Sequence, residues 1–219
     1  MKRICLFFLL TLLTFSSFAG GNNMIGLTSK TAKKGNDDGI VSNGFYWHLG
    51  IGFPSIKSVD FPNLGREKQG IQFTLEAGNQ WMFLNTGSFG FGMNVSWLTI
   101  GSSVYKTEGV DENVYDLHLG LIRFGPMASV GIGDNVAVDV FFNLNPTIKY
   151  NFWSSTTTES HMLMYGIAWT PGVKFRFKKF AVGFENSFGR LRGIDMEDSG
   201  IDTAKLSYMN PRILLGMKF

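Results

Sequence analysis

Three histidines and one run of polar residues are the places where this sequence could carry catalysis. The histidines are His48, His118 and His161, and only His161 has a serine and an acid beside it, in the run Glu159-Ser160-His161. A serine, a histidine and a carboxylate together can form an activated nucleophile. Neighbouring residues of an extended strand point to opposite faces, however, so Ser160 and His161 are poorly placed to hydrogen bond. We therefore expect no catalytic residues and no enzyme.

The remaining residue types exclude several kinds of site. Cys5 is the one cysteine in 219 residues, which excludes disulfides, structural zinc and a cysteine nucleophile downstream of it. The acidic run with Asp195, Glu197 and Asp198 matches no calcium loop. A formal charge of +3 with 15% aromatic residues is not typical of a nucleic-acid binder. We expect no cofactor, no bound metal and no nucleic-acid partner.

The first 19 residues have the pattern of a secretory signal peptide. Lys2 and Arg3 precede a twelve-residue run, 4–15, broken only by two threonines. Small residues, Ser17 and Ala19, flank Phe18, and cleavage is predicted after Ala19. A transmembrane helix needs about 20 apolar residues, so this run is too short to span a membrane. The sequence predicts a signal peptide over 1–19, a flexible polar segment over 20–43, and one exported domain over 44–219.

Beyond residue 43 the apolar residues alternate with polar ones at a period of two. Phe89, Phe91, Met93, Val95 and Trp97 are one such set. Alternation of this kind predicts half-buried β-strands. A change of parity near Leu121 predicts a β-bulge there. The eight predicted strands cover 45–53, 70–83, 89–99, 114–132, 136–150, 162–177, 180–188 and 205–219.

The connections between these strands alternate between short and long. The short ones are 84–88, 133–135 and 178–179, and the long ones are 54–69, 100–113, 151–161 and 189–204. Large apolar residues occupy one face of the strands, and aromatic residues such as Trp81, Phe177, Trp97 and Trp153 cluster near strand ends. Short turns on one side, long loops on the other and two aromatic girdles are typical of outer-membrane barrels. The sequence predicts an all-β, eight-stranded antiparallel up-and-down transmembrane barrel.

With this pattern the chain resembles the small eight-stranded outer-membrane barrels of the OmpA/OmpX-like type and the outer-membrane barrel domains of Bacteroidetes-type bacteria. The resemblance covers 44–219 and rests on the strand and loop pattern and on the ending Ile213-x-Leu215-x-Met217-x-Phe219. In the family, such an ending is the signal read by the barrel-assembly machinery. The resemblance therefore implies a Gram-negative outer membrane, with outer-membrane lipids, lipopolysaccharide and that machinery as partners. Met209 stands where the fullest form of the signal has an aromatic residue.

Charged residues at inward parity suggest what fills the barrel. An eight-stranded barrel is just wide enough for side chains, so charges inside it must pair. We expect a closed lumen and a structural or surface-interaction role, with an unidentified partner bound by the four long loops. The alternative is a narrow transport or lipid-handling barrel, either a channel or a lipid-modifying enzyme. The predicted plug consists of Glu76, Arg123, Asp139, Lys174, Arg176, Glu185 and Arg212.

Three prolines fall on the outward parity of alternate strands. Pro126, Pro171 and Pro211 lie at similar depths in the fourth, sixth and eighth predicted strands. Proline removes a donor from a β-ladder, so it is rare inside a closed barrel. Their recurrence suggests a hairpin repeat with local bulges.

Overall fold

The computed structural model describes residues 40–106, 113–154, 159–196 and 203–219, apart from the side chains of 153, 154, 159, 160 and 203. The predicted signal peptide and residues 20–39 of the predicted flexible segment lie outside the described residues. No helix in the described ranges is long and apolar enough to cross a membrane. The described chain consists almost entirely of antiparallel strands. The strands are β1 Gly44–Gly52, β2 Ser55–Ser58, β3 Glu67–Lys68, β4 Ile71–Asn85, β5 Phe89–Lys106, β6 Asn113–Ile132, β7 Val136–Ser154, β8 Glu159–Phe177, β9 Phe180–Asp195 and β10 Thr203–Lys218.

Eight of these strands form a closed ring. Each pairs antiparallel with the next in the order β1, β4, β5, β6, β7, β8, β9, β10, and β10 pairs back to β1. Short turns at 86–88, 133–135 and 178–179 lie at one end, which we call the turn end, and the opposite end is the loop end. The start of β1 and the end of β10 also lie at the turn end. The prediction of an eight-stranded up-and-down barrel is confirmed.

The first predicted loop, 54–69, is wrong because much of it is strand. Gly52 faces Arg212 and Ser55 faces Met209, so β2 continues β1 along β10 in the same register. Pro54 interrupts the strand but not the register, because the Phe53 amide still donates to the Pro211 carbonyl at 3.0 Å. The short strand β3 pairs with β2, which leaves 59–66 as the connection.

Three other strands also run further toward the loop end than predicted. Strand β5 ends at Lys106, β7 at Ser154 and β9 at Asp195, whereas the alternation predicted ends at 99, 150 and 188. In β9 the outward positions change from phenylalanine to Arg190 and Arg192, but the ladder with β10 continues. Ladder hydrogen bonds join backbone groups, so a strand can outlast its apolar alternation.

Two bulges lie opposite each other in neighbouring strands. Trp97 is an extra residue of β5 relative to β4, and the predicted bulge of β6 falls at Ile122, relative to β7. Both extra residues occupy facing positions, so β5 and β6 stay in register, with Ser96 opposite Arg123. On the other side of Ile122 the ladder with β7 is interrupted next to Pro146. Proline has no amide hydrogen to donate, which accounts for the break at this level.

The two faces of the barrel wall differ in chemistry. Outward side chains are large and apolar and remain accessible, with Leu75 at 51%, Phe184 at 51% and Leu215 at 53% exposure. The inward side chains are mostly polar or charged and are buried. An apolar exterior around a polar interior is the arrangement of a membrane barrel rather than of a soluble one.

The turn between β8 and β9 supplies a prediction about stability. Lys178 has a φ of +53°, a left-handed conformation that glycine adopts without the steric penalty of a Cβ atom. We expect Lys178→Gly to raise the free energy of unfolding by about 1 kcal/mol. Lys179→Gly is the matched control and should bring no gain. Urea unfolding in lipid vesicles, followed by tryptophan fluorescence, compares them; equal shifts of the two midpoints would contradict the prediction.

Candidate functional site: the charged interior

Four charged side chains from four strands meet in the middle of the barrel, and we call them the central cluster: Glu76, Arg123, Glu185 and Arg212. Arg123 donates from Nη2 to Glu76 Oε1 at 2.5 Å and from Nη1 to both carboxylate oxygens of Glu185, at 2.9 and 3.0 Å. Arg212 donates from Nη2 to the same Glu185 carboxylate. Strands β6 and β10, which carry the two arginines, stand opposite each other in the ring. The cluster therefore extends across the lumen.

Polar and aromatic groups surround the central cluster on its turn-end side. The Tyr46 hydroxyl donates to Glu76 Oε1 at 3.1 Å, and His48 Nδ1 lies 3.9 Å from the same oxygen. The Lys174 ammonium donates to Asn94 Oδ1 at 3.4 Å and lies 4.7 Å from the centre of the Tyr46 ring. Lys174 thus has amide and aromatic partners, which can hold a buried ammonium through hydrogen bonding and cation–π attraction.

A second group of charges lies nearer the turn end. Arg176 binds Asp139 in a bidentate fashion, with Nε to Oδ2 at 2.6 Å and Nη2 to Oδ1 at 2.9 Å. The Ser129 hydroxyl donates to Asp139 Oδ1 at 2.5 Å. The third Arg176 nitrogen, Nη1, donates to the Ile40 carbonyl at 2.7 Å. Both carboxylate oxygens of Asp139 and all three guanidinium nitrogens of Arg176 thus have hydrogen-bond partners.

Residues 40–43, at the end of the segment that the sequence predicts to be flexible, lie at the mouth of the turn end. Val41 is 1% exposed, and its carbonyl accepts a hydrogen bond from Asn85 Nδ2 at 2.7 Å. The Ser42 carbonyl accepts one from Lys218 Nζ at 2.5 Å. Backbone carbonyls in an extended segment have no ladder partner of their own, so inward lysine and arginine side chains can hold them.

A third polar group, at the loop end, was missed by the sequence analysis. The Lys149 ammonium lies 2.8 Å from Asp116 Oδ2 and also donates to the Gln69 side chain. The Gln72 amide donates from Nε2 to Asp116 Oδ1 at 3.5 Å, and its Oε1 accepts a hydrogen bond from Asn210 Nδ2 at 2.8 Å. Asp116 and Lys149 both fall at inward parity of predicted strands, so the alternation alone could have placed them inside.

One side of the lumen at the loop end is apolar. A group of six apolar side chains packs there between β2 and the loop-end halves of β8, β9 and β10, and Met162 and Ala204 lie against it. Close packing of apolar side chains here leaves the polar groups on the facing strands β4 to β7. The group consists of Ile56, Met164, Ala168, Leu191, Leu206 and Tyr208.

All seven residues of the predicted plug are buried, at 3% exposure or less. The structure divides them between the central cluster, the Asp139–Arg176 pair and Lys174. The residues of the predicted assembly signal, in contrast, lie on the outside of β10 along the seam with β1, and Ile213, Leu215 and Phe219 are 49%, 53% and 56% exposed. Their role in assembly stays a prediction.

The polar run considered for catalysis is described only in part. A hydrogen bond of 2.7 Å joins the Tyr150 hydroxyl to Nδ1 of His161. The side chains of Glu159 and Ser160 lie outside the described residues. Among the described residues no group of three or more histidine, cysteine, aspartate or glutamate side chains is arranged to hold a metal ion.

Solved structures with this architecture are outer-membrane barrels. The attachment invasion locus protein Ail of Yersinia pestis has 13% sequence identity, a TM-score of 0.52, and alignment over 81% of this chain and 99% of Ail. Neisserial surface protein A has 14% identity and a TM-score of 0.46 over 80% of this chain and 97% of its own. No protein-family model matches the sequence, and the curated proteins give no match either. The chain has the fold of the small eight-stranded outer-membrane barrels.

The expectation that the chain is no enzyme has to be corrected. The outer membrane protease OmpT of Escherichia coli is also among the similar structures, with 8% identity and a TM-score of 0.45 over 80% of this chain and 96% of OmpT. The fold alone does not decide whether this chain is an enzyme, because function depends on the site and not on the fold.

Glu185 supplies the prediction that tests the central cluster. We expect Glu185→Ala to lower the free energy of unfolding by about 3–5 kcal/mol, because it leaves two buried guanidinium groups without their shared carboxylate. Asp134→Ala, in an exposed turn, is the control and should change it by less than about 0.5 kcal/mol. Urea titration of both variants in vesicles measures the difference. Similar midpoints for the two variants would mean that the cluster contributes little.

Proposed function

We propose that the protein is an outer-membrane barrel with a closed lumen, whose loop end faces the outside of the cell and serves a structural or surface-interaction role. The observation that supports it best is the central cluster, in which arginines from opposite strands share one glutamate. Buried ion pairs held in this way fill the section of the lumen that an ion or solute would have to cross. The signal-peptide pattern of residues 1–19 supports export.

The ends of the barrel support the orientation in this proposal. Turns at one end are two or three residues long, and the start of the ring's first strand and the end of its last strand meet there. At the other end β5, β7 and β9 extend before their connections begin. Outer-membrane barrels have short periplasmic turns and longer extracellular loops, and loops on a rigid scaffold are where binding concentrates. A partner would therefore meet the connections 59–66, 107–112, 155–158 and 196–202.

One observation favours a narrow transport path as a second candidate. In the lumen, both ring nitrogens of His118 and both amide atoms of Asn143 and Asn145 have no hydrogen-bond partner in the described part of the protein. Buried polar groups normally have partners, so such a group of side chains could line a route for water or small ions. A conductance measurement distinguishes this candidate, which would conduct ions, from the closed barrel, which would not.

Barrel and orientation can be tested together on whole cells. We expect a folded form that migrates faster on SDS gels until it is boiled, and surface protease cleavage only within the four long connections. A closed β-barrel resists SDS at low temperature because its strands have no free edge. Cleavage at 86–88, 133–135 or 178–179 in intact cells would reverse the orientation, and a soluble, non-heat-modifiable product would overturn the membrane barrel.

Planar-bilayer recordings test whether the lumen is closed. We expect neither the unaltered protein nor Arg212→Ala to produce conductance steps, because Arg123 still joins Glu76 to Glu185 across the lumen in that variant. Arg212→Ala should nevertheless unfold at a lower temperature, since Glu185 loses one of its two cationic partners. Steps that appear in Arg212→Ala, or that the unaltered protein already shows, would support the transport path instead.

A further inference from the structure

Four polar side chains of the inner wall hold atoms that have no hydrogen-bond partner among the described residues. We call them the unpaired groups: Arg212, His118, Asn143 and Asn145. Arg212 donates from Nη2 to Glu185, but in the described part of the chain its Nε and Nη1 have no partner. All four side chains are 1% exposed or less. Buried polar groups normally have partners, so a set of four points to a ligand.

Contacts bring these groups to one part of the lumen. A Cβ atom added to Gly120 would lie 3.2 Å from Asn145 Oδ1, so the Asn145 amide lies against β6. His118 is two residues from Gly120 on the same inner face. The Tyr208 ring of β10 meets the His118 ring edge-on, with 6.4 Å between the ring centres. Arg212 lies on the inner face of the same strand as Tyr208, and it is the charged group that acts most strongly on His118.

The inward residues beside the unpaired groups are small. The residues opposite His118, Asn145 and Asn143 in the neighbouring ladders are, in the same order, Gly101, Ala168 and Thr170. An eight-stranded barrel is either filled by side chains or holds one small ligand. Small residues at this place therefore favour a ligand of very few atoms.

The charge around His118 is positive. The charged groups that act on its ring are Arg212, Lys149 and Arg123. Carboxylates near these cations are already engaged in ion pairs, and they are Glu76, Asp116 and Glu185. In the described interior as a whole, six buried lysines and arginines face four buried carboxylates. One additional negative charge would reduce this excess, whereas a cation would increase it.

The unpaired groups can all donate to an anion. A guanidinium group has only donors, an asparagine amide donates from Nδ2, and a neutral imidazole donates from one of its two nitrogens. Hydrogen bonds in which one member is charged are the stronger kind, so Arg212 would be the main partner. A water molecule could satisfy the same donors but would not balance the charge.

We propose that the unpaired groups hold one small monovalent anion of the halide class inside the lumen. Arg212 is its charged partner, and the asparagines and His118 are neutral donors. This inference goes beyond the proposed function, because it requires only the closed ring and neither the orientation of the barrel nor the role of its loops. The ion is held in the lumen, in contrast to the transport path, in which ions would pass.

The chloride dependence of folding provides the first test. The purified full chain is unfolded with urea in lipid vesicles over a series of chloride concentrations, with gluconate as the replacing anion at constant ionic strength. We expect each tenfold rise in chloride above its dissociation constant to raise the folding equilibrium constant by about tenfold, because only the folded barrel has the site. The same stability in chloride and in gluconate would refute the site.

Asn145→Asp tests the sign of the charge that the site accepts. The new carboxylate should take the place of the ion, so this variant should lose the chloride dependence and be more stable than the unaltered protein in gluconate. A buried carboxylate in surroundings that are not positive costs stability instead. Destabilisation of this variant in both salts, or its failure to fold, would therefore overturn the proposal.

Two further variants complete the comparison. Asn145→Ala removes one donor without adding charge, and should raise the dissociation constant of chloride by at least about tenfold. Asn135→Asp makes the same change of charge in the exposed turn 133–135, and should keep the chloride dependence of the unaltered protein. Loss of that dependence in Asn135→Asp as well, or its persistence in Asn145→Asp, would show that the effect does not come from this site.

Two measurements on the same samples separate this inference from the proposed function. A heat-modifiable barrel whose stability does not respond to chloride refutes the anion site and leaves the proposed function intact. Chloride-carried conductance of the unaltered protein in planar bilayers would refute both a held ion and a closed lumen. A product that is not heat-modifiable refutes the barrel on which both depend.

Discussion

Closure of eight strands into a ring is the constraint on which the rest of this structure depends. Pairing of β10 with β1 gives every strand two neighbours, so the ring has no free edge. It also fixes a lumen only wide enough for side chains, and each inward residue must therefore fit those projecting from the opposite strands. Arg123 and Arg212, on opposite sides of the ring, can reach one carboxylate because the lumen is this narrow. In a wider barrel the same charges would face water separately.

Closure also explains why two irregularities occur at one level. A single extra residue in β6 would reverse the facing of every side chain beyond it relative to both neighbours. Trp97 in β5 provides the matching extra residue, so the ladder between these strands is undisturbed, and the mismatch appears only at β4 and β7. Leu121 and Ile122 consequently both face outward, and Arg123 returns to the interior. The position of Arg123 in the central cluster thus depends on a bulge that is itself tolerated because its neighbour shares it.

The sequence predicted which residues share a face more reliably than where strands end or which charges pair. Alternation at a period of two follows directly from strand geometry, so Glu76, Asp139 and Arg176 could be assigned to the interior without coordinates. The strand ends at the loop end could not be predicted in this way. Strand β9 continues through Arg190 and Arg192 because of backbone hydrogen bonds, which side-chain hydropathy does not report. Parity likewise gives a face but no height along the barrel axis. The partners of each charge follow only from the stagger between strands, which no local pattern encodes.

Some buried cations of the barrel have their partners in residues that precede its first strand. Four buried carboxylates, Glu76, Asp116, Asp139 and Glu185, face six buried lysines and arginines in the described residues. The two bases without an acid within ion-pair distance there are Lys174 and Lys218, and both use neutral groups. Lys174 lies over the Tyr46 ring, while Lys218 donates to the Ser42 carbonyl, next to the Ile40 carbonyl that completes the coordination of Arg176. Because an ammonium buried without partners costs several kcal/mol, residues 40–43 complete the interior of the barrel. The domain therefore starts before its first strand, at carbonyl groups that no side-chain pattern could reveal.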